Sequence, residues 1–252
     1  MYDAFMSDGP YDEWLSWLFA ASSNGVLPSL SDLRVADVGC GTGWLAVELS
    51  SSCRQVVGVD LSQDMLAEAA MRSAERDAPV SWLCQDVRKL RLPFVADVIL
   101  STCDSLNYLL TPKDWHLAFA AVRANLEKSG LFCFDALGPK RIDALKEGLW
   151  HDIEDDSAVF YETSVSNDGQ VRFDVHAFVL QSASGLYRRI EEEHLQQYVD
   201  PDSICNWLEE SGFDVLEVLG DFGASDVKNA DRVVYVAKAS SNSQSNQPLK
   251  LE

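Results

Sequence analysis

One stretch constrains this chain more than any other: Val38-Gly39-Cys40-Gly41-Thr42-Gly43, at the end of the apolar run Leu33–Val38. A strand that meets three alternating glycines must turn sharply. Gly39 and Gly41 permit positive φ and keep side chains out of a ligand's path. Gly43 allows close packing at the start of the next helix, read over Thr42–Ser50 from Leu45 and Leu49. Backbone N–H groups at such a turn can meet a ligand's polar groups. The chain beyond Ser50 keeps alternating strand and helix. Gln55–Asp60, Val80–Cys84, Ala96–Ser101 and Gly130–Ala136 read as short buried strands, and Gln63–Arg76 and Pro112–Leu126 as helices, with Thr111 the N-cap of the second. Such alternation implies an α/β fold with a mainly parallel sheet covered on both faces. Right-handed crossovers then gather the strand C-termini on one edge, where the ligands of such sheets lie.

From Ser157 the grammar changes. Ala158–Ser166, Gln170–Leu180 and Leu186–Val199 alternate like antiparallel strands, and Asn167-Asp168-Gly169 is a hairpin signal. A helix at Pro201–Ser211 and strands at Phe213–Leu219 and Arg232–Lys238 complete the pattern. The expected organisation is one domain over 1–238. It comprises an N-terminal helical cap (1–30), a ligand-binding core (31–150), an antiparallel insertion after the fifth strand (151–200), and a final helix and strands (201–238). The Ser- and Asn-rich stretch 239–252 reads as a disordered tail.

Two acids stand at strand ends beyond the glycines. Asp60 closes the second strand, about one βαβ step past the turn, where a carboxylate can accept both hydroxyls of a ribose. Asp86 follows the third strand and can accept from an adenine amino group, or act as a solvated loop acid. Asp37, just before the glycines, can orient the turn or reach a ligand's amino group. The dinucleotide fingerprint G-x-G-x-x-G would need its third glycine at position 44, which is Trp44. A nicotinamide-dependent oxidoreductase is therefore the weaker reading of the turn.

Composition narrows the partners. A formal net charge of -20 with no Lys/Arg-rich run argues against nucleic acid and favours a small neutral or cationic substrate. The six cysteines show neither CxxC nor zinc-finger spacing, so no metal is expected. They read as reduced thiols, with Cys84 and Cys133 as small core residues. No basic leader with an apolar run and no stretch of membrane-spanning length is visible, so the expected location is cytoplasmic, with no membrane partner. Monomer and homodimer both stay open.

On these motifs the chain resembles class I S-adenosylmethionine (SAM)-dependent methyltransferases. Asp37–Gly43 looks like their glycine motif, Val59-Asp60-Leu61-Ser62 with Met65-Leu66 like the acidic second motif, and Gln85-Asp86-Val87 like the third. A closer resemblance, to small bacterial methyltransferases of the YqeM type, rests on Tyr2-Asp3, Tyr11-Asp12-Glu13-Trp14, Cys103–Tyr108 and Glu191–Tyr198. That group is similar to small-molecule N-methyltransferases that also carry an antiparallel insertion. The resemblance implies a seven-stranded Rossmann-like sheet whose last strand is antiparallel, and SAM as cofactor, leaving as S-adenosylhomocysteine. Gly39, Gly41, Asp60 and Asp86 carry over as cofactor contacts. Asp37, Cys40, Gly43, Leu61, Met65, Val87, Cys103 and Tyr11 complete the expected cofactor set.

The implied function is methyl transfer to a small-molecule acceptor, at nitrogen or oxygen. A SAM-binding sensor or assembly factor without turnover is the alternative. Asp104 and Asn107, after the fourth strand, are expected to meet the acceptor, with Tyr108 beside them. Asp104 can stabilise an ammonium or assist proton loss, or simply cap the turn at Ser105. Alternation places Glu192, His194 and Gln196 on one strand face, where Glu192 and His194 can form a polar pocket wall or an exposed sheet face. Asp104 and His194 are the candidate catalytic residues. His116, His151 and His176 have no such context. Tyr2 and Tyr11 can close over the ligand, whereas Trp14 reads as core.

Overall fold

The structure is a computed structural model that describes residues 10–23, 27–181 and 184–240. Its main sheet has seven strands in the order β3-β2-β1-β4-β5-β11-β10. These are β1 (Arg34–Val38), β2 (Gln55–Asp60), β3 (Val80–Cys84), β4 (Ala96–Ser101), β5 (Leu126–Leu137), β10 (Phe213–Gly220) and β11 (Arg232–Ala239). The first five are parallel, and β11 runs antiparallel to both β5 and β10. The α/β class and the antiparallel last strand are as expected. So is the consequence that matters: β1, β2, β3, β4 and β5 end on one edge.

Helices cover both faces. On one face α1 (Tyr11–Ser23) and α2 (Trp44–Ser50) bury Trp14, Leu18, Leu45 and Leu49 against Val35, Val98 and Leu100. On the other, α4 (Pro112–Asn125) and α6 (Pro201–Glu210) bury Trp115, Phe119 and Leu208 against Phe132, Phe134 and Tyr235. The central strands face apolar layers on both sides, which is why they read as continuous apolar runs. α3 (Gln63–Glu75) is capped by the Ser62 hydroxyl, and α4 by Thr111 with Pro112 behind it, as that pair anticipates.

Local geometry differs from expectation in three places. α2 begins at Trp44 rather than Thr42, because Gly43 occupies its N-cap with φ 76° and ψ 19°, outside the helical region. Cys84, expected in the core, is exposed, since β3 is an edge strand; Cys133 is fully buried. Ala239 completes β11, and Ser240 donates its N–H to the Gly212 carbonyl. The rest of the expected tail, and Tyr2, lie outside the described residues.

After β5 comes the short helix α5 (Pro139–Leu145), then a second sheet. It is antiparallel in the order β6-β7-β8-β9: β6 (Glu147–Ile153), β7 (Ser157–Val165), β8 (Gln170–Gln181) and β9 (Leu186–Gln197). The hairpin signal at Asn167-Asp168-Gly169 is the β7–β8 turn, with Gly169 at φ 84°. The first of these strands was not legible. β6 leaves Leu149, Trp150 and Ile153 exposed, so it lacks the alternation that marks a half-buried strand. β9 meets the turn after β4 and so overhangs the carboxyl edge of the main sheet: the Asn107 carboxamide donates to the Gln197 carbonyl at 2.7 Å and accepts from the Leu137 N–H at 3.1 Å.

Candidate active site

The glycine turn has the conformation its composition demands. Gly39, Gly41 and Gly43 stand at φ 74°, 52° and 76°. A β-carbon on Gly39 would lie 2.6 Å from Ser105 Cβ, and one on Gly43 would lie 2.4 Å from the Trp82 ring. The turn hangs from β2, with the Gly39 and Cys40 N–H groups donating to the Val59 carbonyl at 2.7 and 3.1 Å. Asp60 grips it from the side: Oδ2 accepts from the Gly41 N–H and Oδ1 from the Ser62 N–H, both at 2.8 Å. Each oxygen keeps a second lone pair for a hydroxyl donor. Leu61, next to it, is 69% exposed, an apolar surface open to a flat ring, and Met65 is half-buried on the first turn of α3. At position 44, where a dinucleotide fold needs its glycine, the Trp44 ring stacks on Tyr11 at 4.9 Å.

Two buried atoms at this edge lack partners among the described residues: Asp37 Oδ1 and Ser101 Oγ, at the ends of β1 and β4. Leaving such atoms unpaired is costly, and they mark where a polar ligand group fits. The glycine cradle and these atoms suit the amino-acid end of an adenosyl amino acid, and Asp60 suits its sugar. Burial, and then the charge of Asp60, push the Asp37 carboxyl up to about 7. Between pH 4 and 7 the folded chain therefore holds a proton that the unfolded chain has lost, so stability falls as pH rises through that window. With an ordinary value of 3.8, the effect is on the order of 4 kcal/mol. Urea unfolding at pH 4 and pH 8 should show Asp37→Asn losing less stability over that range than the parent chain; identical losses would remove Asp37 as the cause.

Asp86 is less free than its position suggested. Its carboxylate caps the short turn Val87–Lys89 and accepts a fork from Arg88, whose other arm reaches Asp114 at 2.7 Å. The Arg88 hydrogen bonds hold the Asp86 carboxyl below its usual range. Val87 is half-buried beside it.

After β4 the chain bends through two consecutive left-handed residues, Cys103 (φ 58°) and Asp104 (φ 49°). Such conformations cost about 1–3 kcal/mol each and persist only where the surroundings enforce them. Here the enforcer is Asp135 on β5, fully buried, which accepts from the Cys103 N–H at 3.1 Å and the Asp104 N–H at 2.5 Å. Asp135 also accepts from Trp14 Nε1 at 2.8 Å and from the Arg232 guanidinium at 2.6 Å. Burial pushes the Asp135 carboxyl up, and Arg232 pulls against that. Burial opposes the charge on Arg232, but Asp135 and Asp104 hold it protonated. Trp14 is thus core, as expected, and also a donor to this carboxylate. Tyr11 and the Cys103 thiol share a hydrogen bond, and burial followed by the Asp135 charge pushes that thiol up to about 12.

Both oxygens of Asp104 are engaged, Oδ1 by Arg232 at 3.0 Å and Oδ2 by Gln196 Nε2 at 2.8 Å. Asn107, expected to meet the acceptor, is instead fully buried, with its carboxamide spent on joining β9 to β5. Tyr108, distant in the sequence, is brought to His194 and Glu192, which lie two residues apart on β9. The Tyr108 hydroxyl lies 3.2 Å from His194 Nδ1, and His194 Nε2 lies 3.1 Å from Glu192 Oε2. Tyr108 is 48% exposed overall, but desolvation, followed by the charges of Asp104, Glu192 and Asp60, raises its phenol, so it stays protonated. The other histidines lie apart: His116 is 3.7 Å from Glu210, His151 stacks on Phe160, and His176 is 3.3 Å from Glu191. No group of three His, Cys, Asp or Glu among the described residues could hold a metal. No helix among them is long and apolar enough to cross a membrane.

Sequence reasoning missed Asp135, Arg232 and Arg88. The first two did carry a signal. Asp135 is an acid within the apolar run Leu131–Leu137, and Arg232 opens the apolar run Val233–Ala237. A buried acid of that kind needs a partner.

The family model described as a methyltransferase domain matches residues 35–130. A protein of Geobacillus sp. (strain WCH70) is 32% identical over 94% of this chain and 96% of its own length. YqeM of Bacillus subtilis (strain 168) is 29% identical over 95% of each chain. Both bear the name "putative methyltransferase". Among solved structures, that of a SAM-dependent methyltransferase from Clostridium acetobutylicum ATCC 824 superposes with a TM-score of 0.85, covering 94% of this chain and 95% of that one at 24% identity.

Proposed function

The chain belongs to the class I SAM-dependent methyltransferases, in the YqeM-like group, and from that premise we propose that it methylates the nitrogen of a small amine. SAM supplies an electrophilic methyl group on a sulfonium. In this reading the glycine turn, Asp37 and Ser101 hold its amino-acid end, Asp60 its ribose, and Leu61, Met65, Asp86 and Val87 its adenine. Tyr11 and Cys103 line the same edge.

The observation that carries the choice of nitrogen is the Tyr108–His194–Glu192 chain set in an acidic wall. Asp104, Glu192 and Asp60 all bear on the Tyr108 hydroxyl, and the Arg232 guanidinium pairs with Asp104 and Asp135. A wall of that sign attracts a cation and repels a carboxylate or phosphate. An amine arrives as its ammonium and must lose a proton before its lone pair can attack. In this reading His194 takes that proton through the Tyr108 hydroxyl, and Glu192 stabilises the imidazolium that results. Asp104, with one oxygen on Arg232 and the other on Gln196, holds the wall in shape in this reading.

S-adenosylhomocysteine release, measured against matched small amines and alcohols, tests this. Amines should turn over and alcohols should not. His194→Ala should lower kcat by about a hundredfold near neutral pH and by less in alkali, where the free amine is already deprotonated. Release with alcohols alone would overturn the nitrogen reading.

A further inference from the structure

A further buried atom lies on the opposite wall. Gln196 on β9 is 4% exposed, and its Oε1 has no hydrogen-bond partner among the described residues. The side chain is not free to rotate and hide that oxygen. Its Nε2 donates to Asp104 Oδ2 at 2.8 Å, and an ionised carboxylate offers only acceptors, so the amide nitrogen must face Asp104 and the oxygen must face away. Asp104 is fixed in turn by Arg232 and, through its own N–H, by Asp135. The Asn107–Gln197 bond holds the end of β9 to the main sheet one residue further on. Alternation puts Gln196 on the same face as His194 and Glu192, and that face meets Tyr108 and Asp104. A carbonyl oxygen pre-oriented at the cost of its own hydrogen bond is the mark of a site built for a donor.

We infer that Gln196 Oε1 accepts a hydrogen bond from the N–H of the methyl acceptor and orients its nitrogen, with Asp104 as the residue that positions the amide. This rests on the amine reading above. Methylation replaces an N–H with N–CH3, so an oxygen at this place recognises the amine while a donor remains and loses its grip as donors are consumed. It therefore sets selectivity among primary, secondary and tertiary amines. His194 and Tyr108 serve proton departure; Gln196 serves aim.

The test compares parent and Gln196→Met on the amine turned over fastest by the parent enzyme and on its quaternary trimethylammonium analogue, which has no N–H. Methionine keeps the length without a polar atom. Amine affinity is read by calorimetry on the S-adenosylhomocysteine complex, alongside kcat, KM and the affinity for SAM. Loss of a buried hydrogen bond should weaken amine binding about tenfold or more in Gln196→Met. SAM affinity should stay within about twofold, and binding of the quaternary analogue should be little changed. Equal losses for both ligands, or a parallel fall in SAM affinity, would show a packing role and overturn the inference. So would unchanged amine binding in Gln196→Met, which leaves the amine reading standing. Failure of the parent enzyme to turn over any amine would instead remove that reading, and this inference with it.

Discussion

Asp60→Ala should weaken SAM binding by about a hundredfold or more, the sum of two charge-assisted hydrogen bonds worth roughly 1.5–3 kcal/mol each, offset in part by solvent. The carboxylate has two tasks. Its free lone pairs serve the ribose in the proposed reading, and its occupied ones hold the Gly41 and Ser62 N–H groups. Removing it loosens the glycine turn as well as the sugar contact, so both ends of the ligand lose support. Asp60→Asn keeps one accepting oxygen and should fall between the parent and the alanine variant. Calorimetric Kd values for SAM give the ranking directly. An alanine variant that binds as tightly as the parent would remove Asp60 from the site.

Arg232→Met should destabilise the fold by about 3–5 kcal/mol in urea unfolding, because it leaves Asp135 as an uncompensated buried carboxylate. Asp135 is 0% exposed and loses its only cationic partner among the described residues. The Cys103–Asp104 turn, strained in the left-handed region, then loses the second anchor of Asp104. The pair is also a test of coupling. Arg232→Met combined with Asp135→Asn should recover part of the stability, since the charge goes together with its partner. A loss below about 1 kcal/mol in the single variant would mean that the ion pair does not hold this edge.

The parts of the site that local chemistry dictates were legible in the sequence. Three glycines between a buried strand and a helix leave the backbone little choice, and Asp60 stands one βαβ step further on for the same topological reason. The face carrying Glu192 and His194 followed from alternation, although nothing in the sequence says that Tyr108 would meet it. That contact spans 86 residues and depends on where the second sheet docks. Asp104 and Asn107 stand out in the sequence, but their partners, Arg232, Gln196 and Leu137, come from distant strands that only the folded sheet brings near. β6 was hidden because an edge strand with apolar side chains on both faces has no period-2 signature. The two ends of the described chain meet for a similar reason: the Trp14 indole and the Arg232 guanidinium converge on a single carboxylate of β5.

Titration of the intact chain with S-adenosylhomocysteine in a calorimeter bears most directly on the whole scheme. One saturable site is expected, with affinity sharply reduced in Asp60→Ala and little changed in Gln196→Met. No binding at millimolar ligand, in a chain shown by circular dichroism to be folded, would contradict it.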